Sequence, residues 1–193
     1  YEISLGLVGS EMCIRDRNGM ANEQFVANFG SKLYRLSLKN NFTNLIFICV
    51  GSNKIIGDSL GPMVGNKLKT KLNTKVNVWG TLENPVNYMN IEKTWKNIKD
   101  KYKNPCIISI DSAMGENADV GKILVNWGGI FLGEAIKNGI YCNSHINIKG
   151  IVAKTSKSIL INLQELNSIN LWQIEKLANI VSEGISQVIN SFA

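Results

Sequence analysis

The sequence lacks long apolar runs and is poor in cysteine, histidine and arginine. Its 193 residues include no stretch near the ~18 apolar residues that a membrane helix needs, so we expect no membrane partner. Four cysteines without a C-x-x-C pair exclude a dense disulfide framework and indicate a reducing, cytoplasmic compartment. After Met20 the only arginine is Arg35, and the lysines are scattered. Because arginine most often reads bases, we predict no nucleic-acid partner despite the net charge of +6.

Residues 1–19 differ in composition from the rest of the chain. Two of the three arginines lie there, and the segment has neither the basic start nor the long apolar centre of a signal peptide. We predict that it is a non-native extension, similar to translated vector sequence. The remainder, residues 20–193, is expected to form one domain, because 45% hydrophobic and 19% charged residues are typical of a globular chain.

In the first part of the chain, continuous apolar runs alternate with segments whose apolar residues recur at helical spacing. The runs 45–50, 76–79 and 105–110 predict strands. Helices are predicted for about 59–72 and after Asn90, which is a suitable N-cap. Because parallel strands need a crossover connection, this β-α-β-α-β order predicts a parallel sheet.

The second half of the chain is less regular. We predict strands at 120–127, 146–152 and 158–163, a helical turn near 132–137 and a final helix capped by Asn170. With a further helix within residues 20–43, the predicted fold is a single-domain α/β structure. It has a mostly parallel sheet flanked by helices.

Two aspartates follow strands of the predicted sheet. Asp58 lies in the loop G-S-N-K-I-I-G-D-S-L-G-P after the strand 45–50, and Asp111 follows the strand 105–110 directly. Ligands of open α/β sheets bind beyond the carboxyl ends of the strands, so both are candidate functional groups. The structural alternatives are that Asp58 caps the following helix and that Asp111 caps a turn at 112–115.

Two carboxylates in one crevice allow two kinds of chemistry. They can activate water, one as a base and the other as an acid, because two like charges do not both ionise easily. Alternatively they bind a divalent metal with His145, although a lone histidine is more often structural. Cys142 and His145 form C-x-x-H, but a zinc site needs about four ligands. We therefore interpret Cys142 as a buried thiol.

The motif G-D-S-L-G-P at residues 57–62, followed by Met63-Val64-Gly65, resembles the signature of the YyaC-type family of proposed spore proteases in spore-forming Firmicutes. The likeness continues at 79–82, 85–86, 108–111 and 148–152. That family is similar to the germination protease, which degrades small acid-soluble spore proteins. It is more distantly similar to the hydrogenase maturation peptidases.

The resemblance implies a compact α/β fold of the hydrogenase-maturation-peptidase and germination-protease type. It also implies an aspartate-dependent endopeptidase of sporulation or germination, with Asp58 and Asp111 as the catalytic residues and no cofactor. The implied substrate is a protein or peptide, with small acid-soluble spore proteins as candidates, in the forespore or mother cell. We expect Gly51, Asn53 and Gly57 to shape the loop and to offer backbone amides to the substrate carbonyl.

Two other functions fit the same residues. One is a metal-dependent peptidase of the hydrogenase-maturation type, for which His145 is a weak candidate ligand. The other is a non-catalytic spore binding protein that retains the fold. The departures from the family's usual residues at Asn87 and His145 favour this last alternative.

Overall fold

A six-stranded mixed sheet forms the centre of the protein. The computed structural model describes residues 12–14, 21–72, 76–132 and 139–192. The sheet strands are β1 (Met12–Ile14), β2 (Asn44–Cys49), β3 (Asn77–Trp79), β4 (Pro105–Gly115), β5 (Ile123–Trp127) and β8 (Ile146–Lys154); β6 (Ile130–Leu132) and β7 (Ile140–Cys142) pair separately. Across the sheet the order is β1-β5-β8-β4-β2-β3. Strands β3, β2, β4 and β8 are parallel, whereas β5 pairs antiparallel with β8, and β1 pairs antiparallel with β5. The predicted α/β fold with a mostly parallel sheet is confirmed.

Helices cover both faces of the sheet. They are α1 (Ala21–Lys39), α2 (Leu60–Leu72), α3 (Ile91–Lys101), α4 (Ile159–Ser168) and α5 (Leu171–Ser191). One face, which we call the α2 face, packs against α1, α2 and α5. The opposite face, which we call the α3 face, packs against α3 and the β6–β7 pair.

The helix α5 shows how the sequence pattern builds this core. Its buried residues include Ile174, Leu177, Val181, Ile185 and Val188, which recur at helical spacing and confirm the predicted face. Each fully buried large aliphatic side chain contributes about 1.5–3 kcal/mol to folding. Asn170 is the N-cap, as predicted, since its side chain accepts a hydrogen bond from the Trp172 backbone.

The strand order reverses between β2 and β4. From β2 the chain crosses to β3 on one side, and it then returns to β4 on the other side. The intervening helices lie on opposite faces, with α2 on one and α3 on the other. This reversal leaves a crevice between the carboxyl ends of β2 and β4, where α/β proteins commonly bind ligands.

The predicted strand at 158–163 is wrong, because this segment begins α4. Short apolar runs do not by themselves distinguish strands from helices. The helical conformation lets the buried Asn162 side chain accept a hydrogen bond from the Ser156 backbone N–H and donate one to the Ser156 carbonyl, at 2.7 and 3.1 Å. A residue that sequence analysis placed in an apolar strand therefore anchors the start of a helix.

Other predicted boundaries differ from the observed ones. Strand β5 begins at Ile123 rather than at 120, because a 3-10 turn and Gly121, with φ 89°, precede it. Asn90 precedes α3, but its side chain binds the loop backbone instead of capping the helix. Leu132 ends β6, and the rest of the predicted turn at 132–137 lies outside the described residues.

Part of the segment expected to be an extension is included in the sheet. Met12–Ile14 pairs antiparallel with Ile123–Val125 of β5. Within the described ranges, no helix combines the length and apolar character needed to cross a membrane.

Candidate active site

The loop after β2 positions Asp58 at the start of α2. Ile56–Asp58 form one turn of 3-10 helix, and Ser59 separates that turn from α2. The Ser59 carbonyl accepts the Met63 N–H at 2.9 Å, so Ser59 rather than Asp58 precedes the helix as its first acceptor. The alternative that Asp58 caps the helix is therefore wrong, and its carboxylate remains available to the crevice.

Two glycines allow the close approaches that hold this loop in place. Gly51 has φ 144°, and a Cβ there would lie 2.0 Å from the Asp58 carbonyl oxygen. A Cβ on Gly61 would lie 2.0 Å from the Val50 carbonyl oxygen. Only glycine fits at such contacts. The two glycines thus bring the loop and the first turn of α2 directly against the end of β2.

Asp111 lies inside β4 and not at its end, which corrects the sequence prediction. Strand β4 runs to Gly115, and residues 112–115 continue the strand instead of forming a turn. Strand β2 is shorter: Cys49 pairs with Ile110, and the Val50 N–H donates to the Ile110 carbonyl at 2.7 Å. Asp111 is thus the first β4 residue beyond the end of β2. Strand β4 continues because β8 pairs with it as far as Lys154.

Both aspartates line one cavity at the crevice between β2 and β4. Its volume is about 620 Å³. Its polar wall includes Asp58, Asp111, Ser112 and Lys149, and its apolar wall includes Phe131, Leu132, Ile159, Leu163 and Leu166. The structure therefore brings together the two aspartates that the sequence singled out.

Asp58 is held in an environment that favours its protonated form. Burial raises the pKa of its carboxyl from an ordinary value of 3.8 to about 6. Hydrogen bonds from the Ser112 side chain and the Ser52 backbone favour the ionised form and limit this rise. The Ser112 hydroxyl lies 3.3 Å from Asp58 Oδ1. A carboxyl with a pKa near 6 can hold or release a proton close to neutral pH.

Asp111 is more deeply buried, with 8% of its surface exposed. Lys149 is its register partner on β8, so the two side chains stand on the same face of adjacent strands. The negative charge of Asp111, together with burial, raises the pKa of the Cys142 thiol to about 12, with burial as the larger cause. Cys142 is therefore a protonated, buried thiol, as predicted.

The three residues predicted to bind substrate have different positions. Gly51 lines the cavity, but its N–H already donates to the Val86 carbonyl at 2.8 Å. Asn53 is exposed, and its side chain donates to the Leu82 carbonyl at 2.9 Å. Gly57 is buried, and a Cβ there would meet Leu166 of α4. All three have contacts that shape the loop, and among them only Gly51 borders the cavity.

His145 lies near the amino-terminal ends of β4 and β8, whereas the two aspartates lie near the carboxyl end of β2. It precedes β8, and its Nδ1 accepts the Ile107 N–H at 3.0 Å near the start of β4. Ile107 and Asp111 are four positions apart in β4, which corresponds to roughly 13 Å along the strand. Its ring also packs edge-on against Phe42, with 4.9 Å between the ring centroids. These contacts give His145 a structural role and separate it from the cavity.

Two polar residues of the cavity, Ser112 and Lys149, were not among the site residues predicted from the sequence. Ser112 directly follows Asp111, and strand alternation sends its side chain to the other face, where Asp58 lies. Lys149 interrupts the apolar strand β8, and a lysine in such a run usually has a partner or a function. Both features can be seen in the sequence, but the pairing of β4 with β8, which brings the two residues to one site, cannot.

Among residues 21–72, 76–132 and 139–192, no three His, Cys, Asp or Glu side chains cluster so as to hold a metal ion.

The chain is similar to one protein family, to one protein sequence and to one solved structure. A family described as "Protein of unknown function (DUF1256)" matches residues 17–184. The uncharacterized protein YyaC of Bacillus subtilis (strain 168) is 31% identical over 142 residues, which cover 74% of this chain and 68% of YyaC. The crystal structure of the [NiFe] hydrogenase maturation protease HycI from Thermococcus kodakarensis KOD1 superposes with a TM-score of 0.51 at 16% identity. That superposition covers 78% of this chain and 95% of HycI.

The likeness to HycI concerns the fold, and it confirms the expected similarity to hydrogenase maturation peptidases. The likeness to YyaC extends over most of the chain, and it confirms the resemblance that was inferred from the G-D-S-L-G-P motif. On the extent of the family match, the chain belongs to the DUF1256 family, and on this identity it is a relative of YyaC.

Proposed function

We propose that this protein hydrolyses peptide bonds, with Asp58 and Asp111 activating water. The observation that carries the proposal is that both carboxylates open onto one cavity at the crevice between β2 and β4. The similarity to a maturation protease in fold supports the choice of a peptide as substrate. The cavity volume of about 620 Å³ is in the range of small-molecule and peptide sites.

The environments of the two carboxyls support different roles. Asp58, whose pKa burial raises to about 6, supplies a proton. Asp111 lies beside Lys149 in register, and an adjacent ammonium stabilises a carboxylate. Pairs of carboxyls in unlike environments are a recurring arrangement for acid and base catalysis.

The proposed reaction consumes one water molecule. The Asp111 carboxylate takes a proton from water as the oxygen attacks the carbonyl carbon. The Asp58 carboxyl gives its proton to the leaving nitrogen as the C–N bond breaks. Transfer of the proton on Asp111 to solvent, and uptake of one by Asp58, restores the starting state. Each such proton transfer typically contributes 10²–10⁴-fold to the rate.

The biological setting is proposed from the YyaC resemblance. We place the activity in sporulation or germination, with small acid-soluble spore proteins as candidate substrates. The identity of 31% to YyaC supports membership of that group. A non-catalytic binding protein fits the same setting. The following experiment distinguishes it from a peptidase.

The test replaces each aspartate with asparagine. We expect Asp58→Asn and Asp111→Asn each to lower the cleavage of purified small acid-soluble spore proteins and of denatured casein at least 100-fold. Asp100→Asn is the matched control, because Asp100 is exposed on α3. Undiminished cleavage by both variants would contradict the mechanism. A wild-type protein that binds spore proteins but cleaves none would favour the binding function.

Chelation distinguishes the metal-dependent alternative. Two carboxylates that act directly on water require no metal, so dialysis against a chelator is expected to leave cleavage unchanged. Loss of activity on chelation, with recovery on addition of one divalent metal, would support the maturation-type peptidase instead.

A further inference from the structure

Strand β4 has an edge that faces the cavity. On one side β4 pairs with β8 from Ile108 to Gly115, with a register shift between Ala113 and Met114 where the pairing passes over Val152 of β8. On the other side its pairing with β2 ends at Ile110. Burial changes at the same point: residues 106–111 are buried, and residues 112–115 are only half-buried. Among the described residues, no other strand takes the place of β2 beside this last part of β4.

The hydrogen bonds on both sides of β4 determine which backbone groups face the cavity. Carbonyls of odd-numbered residues point toward β8, since Ile107 accepts from His145 N and Gly115 accepts from Thr155 N. The Ile110 carbonyl points the other way and accepts from Val50 N. Backbone N–H and C=O groups in a parallel strand alternate in this manner. The N–H and C=O groups of Ser112 and Met114 therefore point to the cavity side.

The two aspartates stand on opposite faces of the sheet beside this edge. Asp111 shares the α3 face with Ile107, whereas Met114 shares the α2 face with Ile108 and Ile110. Ser112 is on the α2 face as well, and its hydroxyl contacts Asp58. A strand placed against residues 112–115 would thus have the Asp58 carboxyl on one face and the Asp111 carboxyl on the other.

This arrangement suits attack on a peptide bond within a strand. Hydrogen bonds between strands lie in the plane of the sheet, and the planar peptide groups lie close to that plane. A carbonyl carbon in an added strand is therefore open to attack from above or below the sheet. Those are the two directions in which the carboxylates stand.

We propose that the cavity-facing edge of β4, at Ser112 and Met114, binds the substrate as an extended peptide that adds a strand to the sheet. This inference rests on the proposed function and deepens it, because it names the bound form of the substrate. Recognition is through the main chain, as in other cases of strand addition. Leu163 of α4 on one face, and Phe131 and Leu132 on the other, form apolar surfaces for alternate side chains of the peptide.

Backbone hydrogen exchange tests the edge directly. In the free protein we expect the amides of Ser112 and Met114 to exchange at least 100-fold faster than those of Ile110 and Ala113. The latter two amides face β2 and β8, respectively, and are protected by hydrogen bonds to those strands. Slow exchange at Ser112 and Met114 in the free protein would overturn the proposal, since the edge would then already be occupied.

A short peptide tests the binding mode. The probe is acetyl-Lys-Thr-Val-Val-Thr-Lys-amide, titrated to millimolar concentration into Asp58→Asn protein, which is not expected to cleave it. We expect slowed exchange and shifted resonances at Ser112 and Met114 and unchanged exchange at Ala113. Single N-methylation along the peptide should weaken binding at least fivefold at alternate positions only. Absence of binding, or equal effects at all positions, would overturn the proposal.

A pair of variants tests the same edge from the protein. Met114→Pro removes one backbone N–H from the edge of β4. Because this N–H faces away from β8, its loss breaks no bond to that strand, and proline is tolerated at such edge positions. Met114→Ala removes only the side chain. We expect the first to weaken probe binding at least fivefold and the second less than twofold. Equal effects would overturn the proposal, and the N-methylated peptides decide the question if Met114→Pro fails to fold. If a peptide binds to wild-type protein at this edge but is not cleaved, the proposed function is refuted. The proposal that the edge of β4 is a binding site is then still supported.

Discussion

The Ser112 hydroxyl donates a hydrogen bond to Asp58 Oδ1 at 3.3 Å, and Ser112 directly follows Asp111 in β4. One residue thereby links the two candidate catalytic carboxyls. The link exists because β4 continues beyond the end of β2, so that consecutive side chains reach opposite faces of the sheet.

Removing this hydroxyl should change the titration of Asp58. A hydrogen bond to a carboxylate favours the ionised form, so Ser112→Ala should raise the pKa of Asp58 above about 6. The expected increase is roughly half a unit to one unit, given a hydrogen-bond contribution of about 1 kcal/mol. NMR titration of the carboxyl carbon measures it. Ser37→Ala, on the exposed side of α1, is the control, and an unchanged Asp58 pKa in Ser112→Ala would show that the contact is not made in solution.

The contribution of Asp58 to the stability of the protein should fall as pH rises from about 4 to about 6. The folded state holds the Asp58 proton up to about pH 6, whereas the unfolded chain releases it near 3.8. The folded state therefore binds more protons in this window, and the free energy of unfolding decreases with pH, by at most roughly 3 kcal/mol.

Asp58→Asn isolates this contribution. The amide is neutral at every pH, so the variant should unfold at a higher temperature than wild type at pH 7.5 and at a similar temperature at pH 4. Thermal unfolding followed by circular dichroism measures the difference, with Asp100→Asn as the exposed control. A lower melting temperature for Asp58→Asn at pH 7.5 would mean that the buried carboxylate stabilises the fold.

Gly51→Ala should destabilise the protein by more than about 2 kcal/mol. The positive φ of 144° is unfavourable for alanine, and the added Cβ would lie 2.0 Å from the Asp58 carbonyl oxygen. Gly121→Ala is a matched control, because its φ of 89° is also positive but nothing lies within 4 Å of the added Cβ. Urea unfolding of both variants separates the steric contribution from backbone strain. Equal destabilisation would show that the loop relaxes around the new atom.

Lys149→Gln should reduce peptide cleavage about tenfold without unfolding the protein. The change removes the positive charge that stands beside Asp111 in register. Lys149→Arg retains the charge and should recover most of the activity. Lys157→Gln is the control, since Lys157 also lines the cavity but is exposed. If Lys149→Gln and Lys157→Gln have the same kcat, the charge beside Asp111 has no role in the reaction.

Several parts of the fold followed from local sequence. The buried runs of β2 and β4 and the apolar stripe of α5 are periodic patterns that need no knowledge of distant residues. The segment 158–163 could not be assigned in this way, because its apolar run suits a strand as well as a helix. The helix α4 is favoured by the buried Asn162, because its side chain needs hydrogen-bond partners and finds them in the Ser156 backbone when the segment is helical.

The two candidate carboxyls can be identified from local sequence: a glycine-bounded loop after one apolar strand presents Asp58, and the next long apolar strand leads to Asp111. The spatial relation between the two carboxyls depends on how the strands pair. Strand lengths depend on pairing with neighbours, so the pairing of β4 with β8 carries Asp111 past the end of β2 and inside the strand. The same register places Lys149 beside Asp111 and Ser112 against Asp58, and it leaves His145 near the amino-terminal ends of β4 and β8. Such relationships join residues far apart in the chain, and no local pattern specifies them.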